Sequence, residues 1–382
     1  MLAIFKTFFW LGWISFGGPA AHIGYFRHTF VEKRRWLSDE EYAQIVALSQ
    51  FLPGPGSSQV GFALGYKKGG LLGALAAFIG FTTPSIVIML ALALVSSQVT
   101  DAPLFQHIVH GLKLLAVVVV ADATLGMYKN FCQSRLSVSL CVATAIALLV
   151  MPSIVTQVMV LLLAAAIGVK FLGRETSTPP SAFTPSLWPL ALFAVLFIGL
   201  PLVATRSDAL QLFNDFFQAG SLVFGGGHVV LPLLQELVGD RLSQDLFLTG
   251  YAAAQAVPGP MFTFATYIGY ALLPNAPIFG ALLATLAVFL PGFLLLLGVL
   301  KNWQSLAQRP AVSGALQGVN AAVVGLLLAA LYQPVFSSAV LSSVDLALVV
   351  LGIYLMKQYK LPIVWMVVLF MLLGAVVGHL TL

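Results

Sequence analysis

Apolar residues run through most of this chain without a polar face, and the pattern predicts helices that are apolar all round. Segment A covers Ile4 to Phe26 and is interrupted by Phe16-Gly17-Gly18-Pro19. A polar stretch follows from Arg27 to Glu41. Segment B covers Tyr42 to Tyr66 and carries Gln50-Phe51-Leu52-Pro53-Gly54-Pro55-Gly56-Ser57-Ser58-Gln59 in its middle. Segment C, Leu71 to Val95, holds Pro84. Segment D, Phe105 to Met127, holds Lys113 and Asp122. Segments E (Leu136 to Val150) and F (Ile154 to Val169) are parted by Pro152. Thr176 to Ser186 is a short Ser/Thr/Pro linker, and an extra apolar segment runs from Leu187 to Ala204.

The pattern then restarts. Phe8-Phe9-x-x-Gly12-x-x-x-Phe16-Gly17-Gly18 returns as Phe216-Phe217-x-x-Gly220-x-x-x-Phe224-Gly225-Gly226. Leu37-Ser38 returns as Leu242-Ser243, and Gln50-x-x-Pro53-Gly54-Pro55 as Gln255-x-x-Pro258-Gly259-Pro260. Gly65-Tyr66 matches Gly269-Tyr270. Gly73-Ala74-Leu75 with Pro84 matches Gly280-Ala281-Leu282 with Pro291. The offsets stay between 204 and 208, which marks an internal duplication. The units are 1–175 and 211–382, joined by 176–210 with the extra helix.

Proline and glycine force the chain out of helical geometry at 53–56 and again at 258–260. Inside a membrane, such backbone is tolerated only where it is buried in protein or lines a cavity. An odd number of segments separates the two copies, so the second is expected to be inverted, as in many secondary transporters. If A and B are re-entrant hairpins, fifteen of the eighteen Lys and Arg residues fall on one face. Two fall on the other, and Lys113 stays inside; full spans would split them twelve to five. The hairpin version fits the positive-inside rule better. Each arm of segment B is ten or eleven residues, roughly 15 Å, half of a ~30 Å hydrocarbon core. The expected fold is all-α and polytopic: two inverted repeats whose broken, re-entrant helices meet near the midplane, with nine full spans and four hairpins.

Composition agrees. The chain is 60% hydrophobic and 8% charged, against about 25% charge in soluble domains, and its mean hydropathy is +0.99. The net charge of +5 is expected in loops on one side of the bilayer, not on a nucleic-acid surface. Cys132 and Cys141 have no metal-binding spacing and read as small apolar fillers. No cleavage-type site precedes Gly17-Gly18-Pro19, so no cleaved leader is expected. Arg27 to Glu41, with Trp36, reads as an interfacial segment; Ser38 and Glu41 have the spacing of a capping box.

The candidate chemistry is anion binding. Each break starts a new half-helix whose first N–H groups are unpaired and carry about half a positive charge. Four such ends would come from Gly17-Gly18-Pro19, from Pro53-Gly54-Pro55-Gly56 with Ser57 and Ser58, from Gly225-Gly226-Gly227, and from Pro258-Gly259-Pro260 with Thr263. Converging, they make an anion site without many charged side chains; helix packing by Gly and Pro is the plainer alternative. Lys113 lies mid-membrane, where a charge is costly and commonly functional; otherwise it pairs with Asp122 or snorkels. Its counterpart is Asn320. Asp122 is a candidate coupling carboxylate. His22 and His228 are candidate donors or proton carriers, but they are not at equivalent positions. Gln50 and Gln255 match across the repeats and would bind substrate or cap carbonyls freed by the prolines. No metal-ligand cluster, cofactor motif or phosphate-binding loop is present in the sequence. An intramembrane enzyme would need a catalytic constellation that His22, Lys113, Asp122 and His228 do not form.

Phe16-Gly17-Gly18-Pro19, Trp36-Leu37, the Gln50-x-x-Pro53-Gly54-Pro55 break and their echoes at Phe224-Gly225-Gly226-Gly227 and Pro258-Gly259-Pro260 resemble the chromate ion transporter family, in its long two-repeat form. The resemblance covers nearly the whole chain. It implies a multi-pass protein of the inner membrane that exports chromate and confers chromate resistance. Sulfate, an isosteric dianion, is the implied competitor, and coupling to the potential or the proton gradient is expected. A sulfate or other oxyanion carrier or channel of the same fold is the alternative. Gly227 departs from the pattern where the first copy has Pro19. The sequence does not fix the oligomeric state; a homodimer in the lipid bilayer is one candidate, because membrane transporters often pair.

Overall fold

The computed structural model describes residues 1–16, 18–99, 102–173, 185–223, 230–301 and 309–380. They form helices and short connections, and no strand occurs among them. The first half contains α1 (Leu2–Ile14), α2 (Gly18–Phe26), α3 (Asp39–Phe51), α4 (Gly56–Val99), α5 (Pro103–Phe131), α6 (Arg135–Val150) and α7 (Ile154–Phe171). The extra helix is α8 (Leu187–Val203). The second half contains α9 (Asp208–Leu222), α10 (Val230–Val238), α11 (Gln244–Ala256), α12 (Phe264–Leu272), α13 (Pro277–Val299), α14 (Pro310–Ala330), α15 (Ser343–Gln358) and α16 (Ile363–Leu380).

The expected hairpins are visible. Helical geometry fails in α4 at Gly69 and Gly70, the latter at φ +60°, and the chain folds back there. Its two arms touch at Gly65 and Gly73, where a Cβ on Gly65 would lie 2.4 Å from the Gly73 carbonyl. Helix α3 enters beside the first arm. The start of α3 and the end of that arm lie together, because Lys67 pairs with Glu41 and the Lys68 ammonium sits 5.5 Å over the Trp36 ring. The expected capping box holds the start of α3: the Glu41 N–H donates to Ser38 Oγ, and the Ser38 N–H to the Glu41 carboxylate. α1 runs along the second arm of α4, so close that a Cβ on Gly80 would meet the Phe5 carbonyl at 2.7 Å. Met1 and Ile4 reach Gly69, so both hairpins of the first half open on one face.

The second arm of α4 leads to the other face, where the α11–α12 hairpin opens. Ala93 and Ser96, near its far end, line a pocket with Leu246 at the start of α11 and with Pro274 and Pro277 at the α12–α13 turn. The Tyr267 hydroxyl donates to Ser96 Oγ at 2.9 Å. The two copies are therefore inverted. Gly269 and Gly280 repeat the Gly65–Gly73 approach, and Gly220 faces the Val288 carbonyl and Pro291 as Gly12 faces the Phe81 carbonyl and Pro84.

The halves also exchange their last helices. α6 and α7 pack on α14, through Gly325 against the Cys141 carbonyl and through Gly314 and Gly318 against Gly168 and Ala164. α15 and α16 pack on α5, with Gly111 against the Phe370 carbonyl and Gly374 against that of His107. Small residues bring the backbones together, as expected where lipid removes the hydrophobic drive for helix association.

Span length is the point of difference. Among the described residues, five helical stretches are long and apolar enough to cross a membrane: 56–96, Pro103–Phe131, Leu187–Arg206, Pro277–Val299 and Pro310–Ala339. The first is the folded α4, so only its second arm can cross. α6, α7, α15 and α16 have 16 to 18 residues, or about 24 to 27 Å at 1.5 Å per residue. They fall a few Å short of the ~30 Å hydrocarbon core on which the expectation of nine full spans rests.

Candidate functional site

Each break is completed by the other half. The Gly54 N–H donates to the Val223 carbonyl at 2.7 Å, and the Gly259 N–H donates to the Ser15 carbonyl at 2.8 Å. Val223 and Ser15 are the residues just ahead of the two Phe-Gly-Gly motifs, so the bonds are reciprocal across the repeat. Gly54 has φ +115° and Gly259 has φ +96°, a left-handed region that disfavours any side chain.

The carbonyls freed by the prolines find different partners. The Gln59 amide donates to the Pro53 carbonyl at 2.9 Å and to the Gly292 carbonyl at 3.1 Å, which joins the first break to the proline kink of α13. Ser85 Oγ, one residue past the α4 proline, donates to the Pro258 carbonyl at 2.9 Å. Thr263 Oγ1 donates to the Pro260 carbonyl at 2.7 Å.

His22 is the polar centre of the first break. Its ring is fully buried, and Nε2 lies 3.1 Å from the Ser15 carbonyl. A carbonyl can only accept, so Nε2 carries hydrogen, and the Ser15 oxygen takes both this bond and that of Gly259. Nδ1 of the neutral ring then accepts from Ser57 Oγ at 3.1 Å. The Phe81 ring stands edge-on to the imidazole at 5.3 Å. Among the described residues, the hydroxyls of Ser15, Ser58 and Thr82 and the Gln59 amide oxygen are buried without a partner; Ser15 also supplies the carbonyl that His22 meets, Ser58 and Gln59 follow Ser57, and Thr82 follows Phe81. Buried polar groups are nearly always satisfied, so these hydroxyls have hydrogen-bonding capacity to spend on a ligand. Of these residues, Ser58 and Gln59 lie in the first turn of α4, which begins at Gly56 and brings the dipole of its N-terminus. α2 begins at Gly18, with φ +74° and no atom within 4 Å of a Cβ there, so conformation, not crowding, accounts for that glycine. Pro19 follows in the first turn of α2.

Other candidates lie elsewhere. Lys113 is buried, and its Nζ sits 2.7 Å from Asp245 Oδ1, in a cleft that no residue of either break lines. Asp122 does not pair with it; its carboxylate meets Lys357 of α15. Asn320 is half-buried on α14 between Val319 and Ala321. Gln50 is exposed. Gln255 Nε2 donates to Met261 Sδ at 2.9 Å, so the carbonyl-capping role foreseen for these two belongs to Gln59. Gly17, Gly225, Gly226, Gly227 and His228 lie outside the described residues. Sequence reasoning missed Gln59, Ser85, Ser15 and Thr82. Ser85 could have been found, since it follows the repeat-matched Pro84.

Comparison with known proteins follows the same two-part pattern. A family model described as chromate transporter matches residues 2–169 and again 210–378. An uncharacterized transporter of Methanocaldococcus jannaschii is 28% identical over all of this chain and 94% of its own length. A probable chromate transport protein of Synechococcus elongatus is 30% identical over 84% of this chain and 81% of its own. A chromate transport protein of Pseudomonas aeruginosa is 26% identical over 85% and 78%. No solved structure matches. With both repeats matched, the chain belongs to the chromate transporter family.

Proposed function

We propose that this protein is a secondary carrier that exports chromate across the inner membrane and so confers chromate resistance, with sulfate as competitor. The observation that carries the site is His22, buried between Ser57 at the start of α4 and the Ser15 carbonyl that also takes the Gly259 bond, with the partnerless buried hydroxyls of Ser15 and Ser58 on the same or the next residue. A tetrahedral dianion offers four acceptor oxygens, and hydroxyl and backbone donors suit it. Neutral donors also release an anion more readily than a cluster of arginines would, as turnover requires. His22 completes the site by fixing Ser57 and bridging to Ser15. An inside-negative potential favours export of a dianion by about 4.6 kcal/mol per 100 mV, from about 2.3 per charge. The related proteins named for chromate transport support the substrate.

The test is chromate flux in proteoliposomes under an imposed potential, then under an imposed pH gradient, with sulfate as competitor. Potential-driven flux that sulfate inhibits supports the reading. Sulfate flux without chromate flux would move the protein to the sulfate-type alternative, and no flux of either anion would reject both.

A further inference from the structure

Ionisable side chains also meet away from the breaks, in a cleft of about 440 Å³ between α5 and the start of α11, with Leu341 at its edge. His110 and Lys113 face it from α5, one turn apart. His110 Nε2 lies 2.7 Å from Asp345 Oδ1, on α15. The other oxygen of Asp345 accepts three bonds: from the Leu341 N–H at 3.0 Å, the Ser342 N–H at 2.9 Å and Ser342 Oγ at 2.9 Å. Three donors on one oxygen favour the ionised carboxylate. Its Oδ1 can then only accept, so Nε2 carries hydrogen and Nδ1 is where a second proton binds. A histidine held by a carboxylate and reached by water is a ready proton carrier, and 29% of the His110 side chain is exposed while 5% of Asp345 is. His22 is enclosed, and its partners are a hydroxyl and a carbonyl without charge.

The charges facing His110 are Asp345 from α15, Lys113 from its own helix and Asp245 from α11, with His107 one turn earlier on α5. α14 and α16, which also pack on α5, present no Asp, Glu, Lys or Arg among their described residues. With His110 neutral, the cleft holds one cation and two carboxylates; with His110 protonated, two of each. Lys113 is tied to Asp245, whose side chain is 69% exposed and free to swing into water. A second cation one turn away on the same helix repels the Lys113 ammonium and attracts the Asp245 carboxylate, so it competes with Lys113 for that carboxylate.

We propose that His110, oriented by Asp345, is a proton-binding site, and that its charge controls whether Lys113 stays with Asp245. Protonation removes the net negative charge from the cleft. A link between that change and transport rests on the carrier reading above; the protonation site does not.

The experiment has two arms. In lipid nanodiscs, ¹⁵N-histidine NMR of the intact protein, with His110 assigned by its loss in His110→Gln, is expected to show this imidazole taking up a second proton at Nδ1 when the sample is acidified. An imidazole that stays in one state on acidification of the folded protein overturns the proposal whatever the protein carries. In proteoliposomes, His110→Gln is expected to cut chromate flux driven by a pH gradient at least tenfold and to leave potential-driven flux within twofold. A wild-type response to the pH gradient in that variant overturns the proposal. Absence of chromate flux from the unmodified protein would fail the substrate reading and leave the NMR arm to decide the proton site. If His110→Gln does not fold, His110→Asn serves both arms.

Discussion

The two breaks solve one problem with different tools. Each must seat a left-handed glycine against the proline kink of the other half and give partners to carbonyls that helical bonding has lost. At the first break the facing residue is Gly292, which has no side chain, and Gly54 packs directly on its backbone. The capping there is done by Gln59, from the same half. At the second break the matching residue is Ser85, whose hydroxyl fills the space and caps Pro258 itself. Repeat symmetry therefore preserves the path of the backbone and leaves side chains free to differ. The same holds for ligand chemistry: His22 and Ser57 belong to one break alone, and Thr263 at the other bonds back to its own turn.

Substitution at the two glycines separates these solutions. A Cβ on Gly54 would lie 2.9 Å from the Gly292 Cα, so Gly54→Ala combines backbone strain with a clash against backbone. A loss of about 2 to 4 kcal/mol is expected, read as unfolding in detergent and loss of flux, and no change at position 292 can relieve it. Gly259→Ala meets Ser85 Oγ at 2.2 Å, which is a side chain. The double change Gly259→Ala with Ser85→Gly should recover part of the stability. No recovery would mean that strain at φ +96° and the lost cap on Pro258 together outweigh the relieved clash.

Removing the caps gives a smaller effect. Gln59→Ala strips the amide bond from two carbonyls and Ser85→Ala from one, at about 1 to 3 kcal/mol per buried group left unpaired. Thermal unfolding should rank Gln59→Ala as the more damaging, and the reverse order would show that other donors serve Pro53 or Gly292. Ser57→Ala leaves His22 Nδ1 without its donor. It should cost about 1 kcal/mol in stability but about tenfold in chromate flux; unchanged flux would take Ser57 out of the site.

The smallest effect is expected at the solvent end of the first hairpin. Lys67 and the capping bond to Ser38 hold the Glu41 carboxyl below its usual range. A depressed carboxylate contributes stability above its ordinary value and loses it as pH falls through the depressed one. The pair is exposed and screened, so Glu41→Gln should leave the unfolding temperature at neutral pH nearly unchanged.

Much of the fold was legible because duplication doubles the signal. Pro84 with Pro291, and Gly65 and Gly73 with Gly269 and Gly280, mark the kinks and close approaches in both copies. The charge of Lys6, Lys67 and Lys68 pointed to hairpins open on one face, and the Lys67–Glu41 pair lies where that requires. The site was less legible. A matched residue such as Gln50 or Gln255 suggests a shared task, yet the caps are unmatched residues, Gln59 and Ser85, set by what faces them from the other half. Lys113 drew attention as an intramembrane charge, but one sequence cannot show that its partner is Asp245, 132 residues away. Helix-exchange packing was likewise invisible, because it depends on contacts between α6, α7 and α14 and between α5, α15 and α16.

The reciprocal glycine bonds bear on biogenesis. When the ribosome has finished the first half, the Gly54 amide still lacks the Val223 oxygen and the Ser15 oxygen still lacks the Gly259 amide. Both groups then sit at membrane depth, where an unmet backbone group costs several kcal/mol. The first half thus enters the bilayer unfinished and closes only after Val223 and Gly259, 48 and 84 residues beyond its end at 175, have followed it in. Chain order imposes a waiting period, and whatever shelters those two groups in the interval, water in the insertion machinery or a temporary protein partner, acts as a folding factor for this protein.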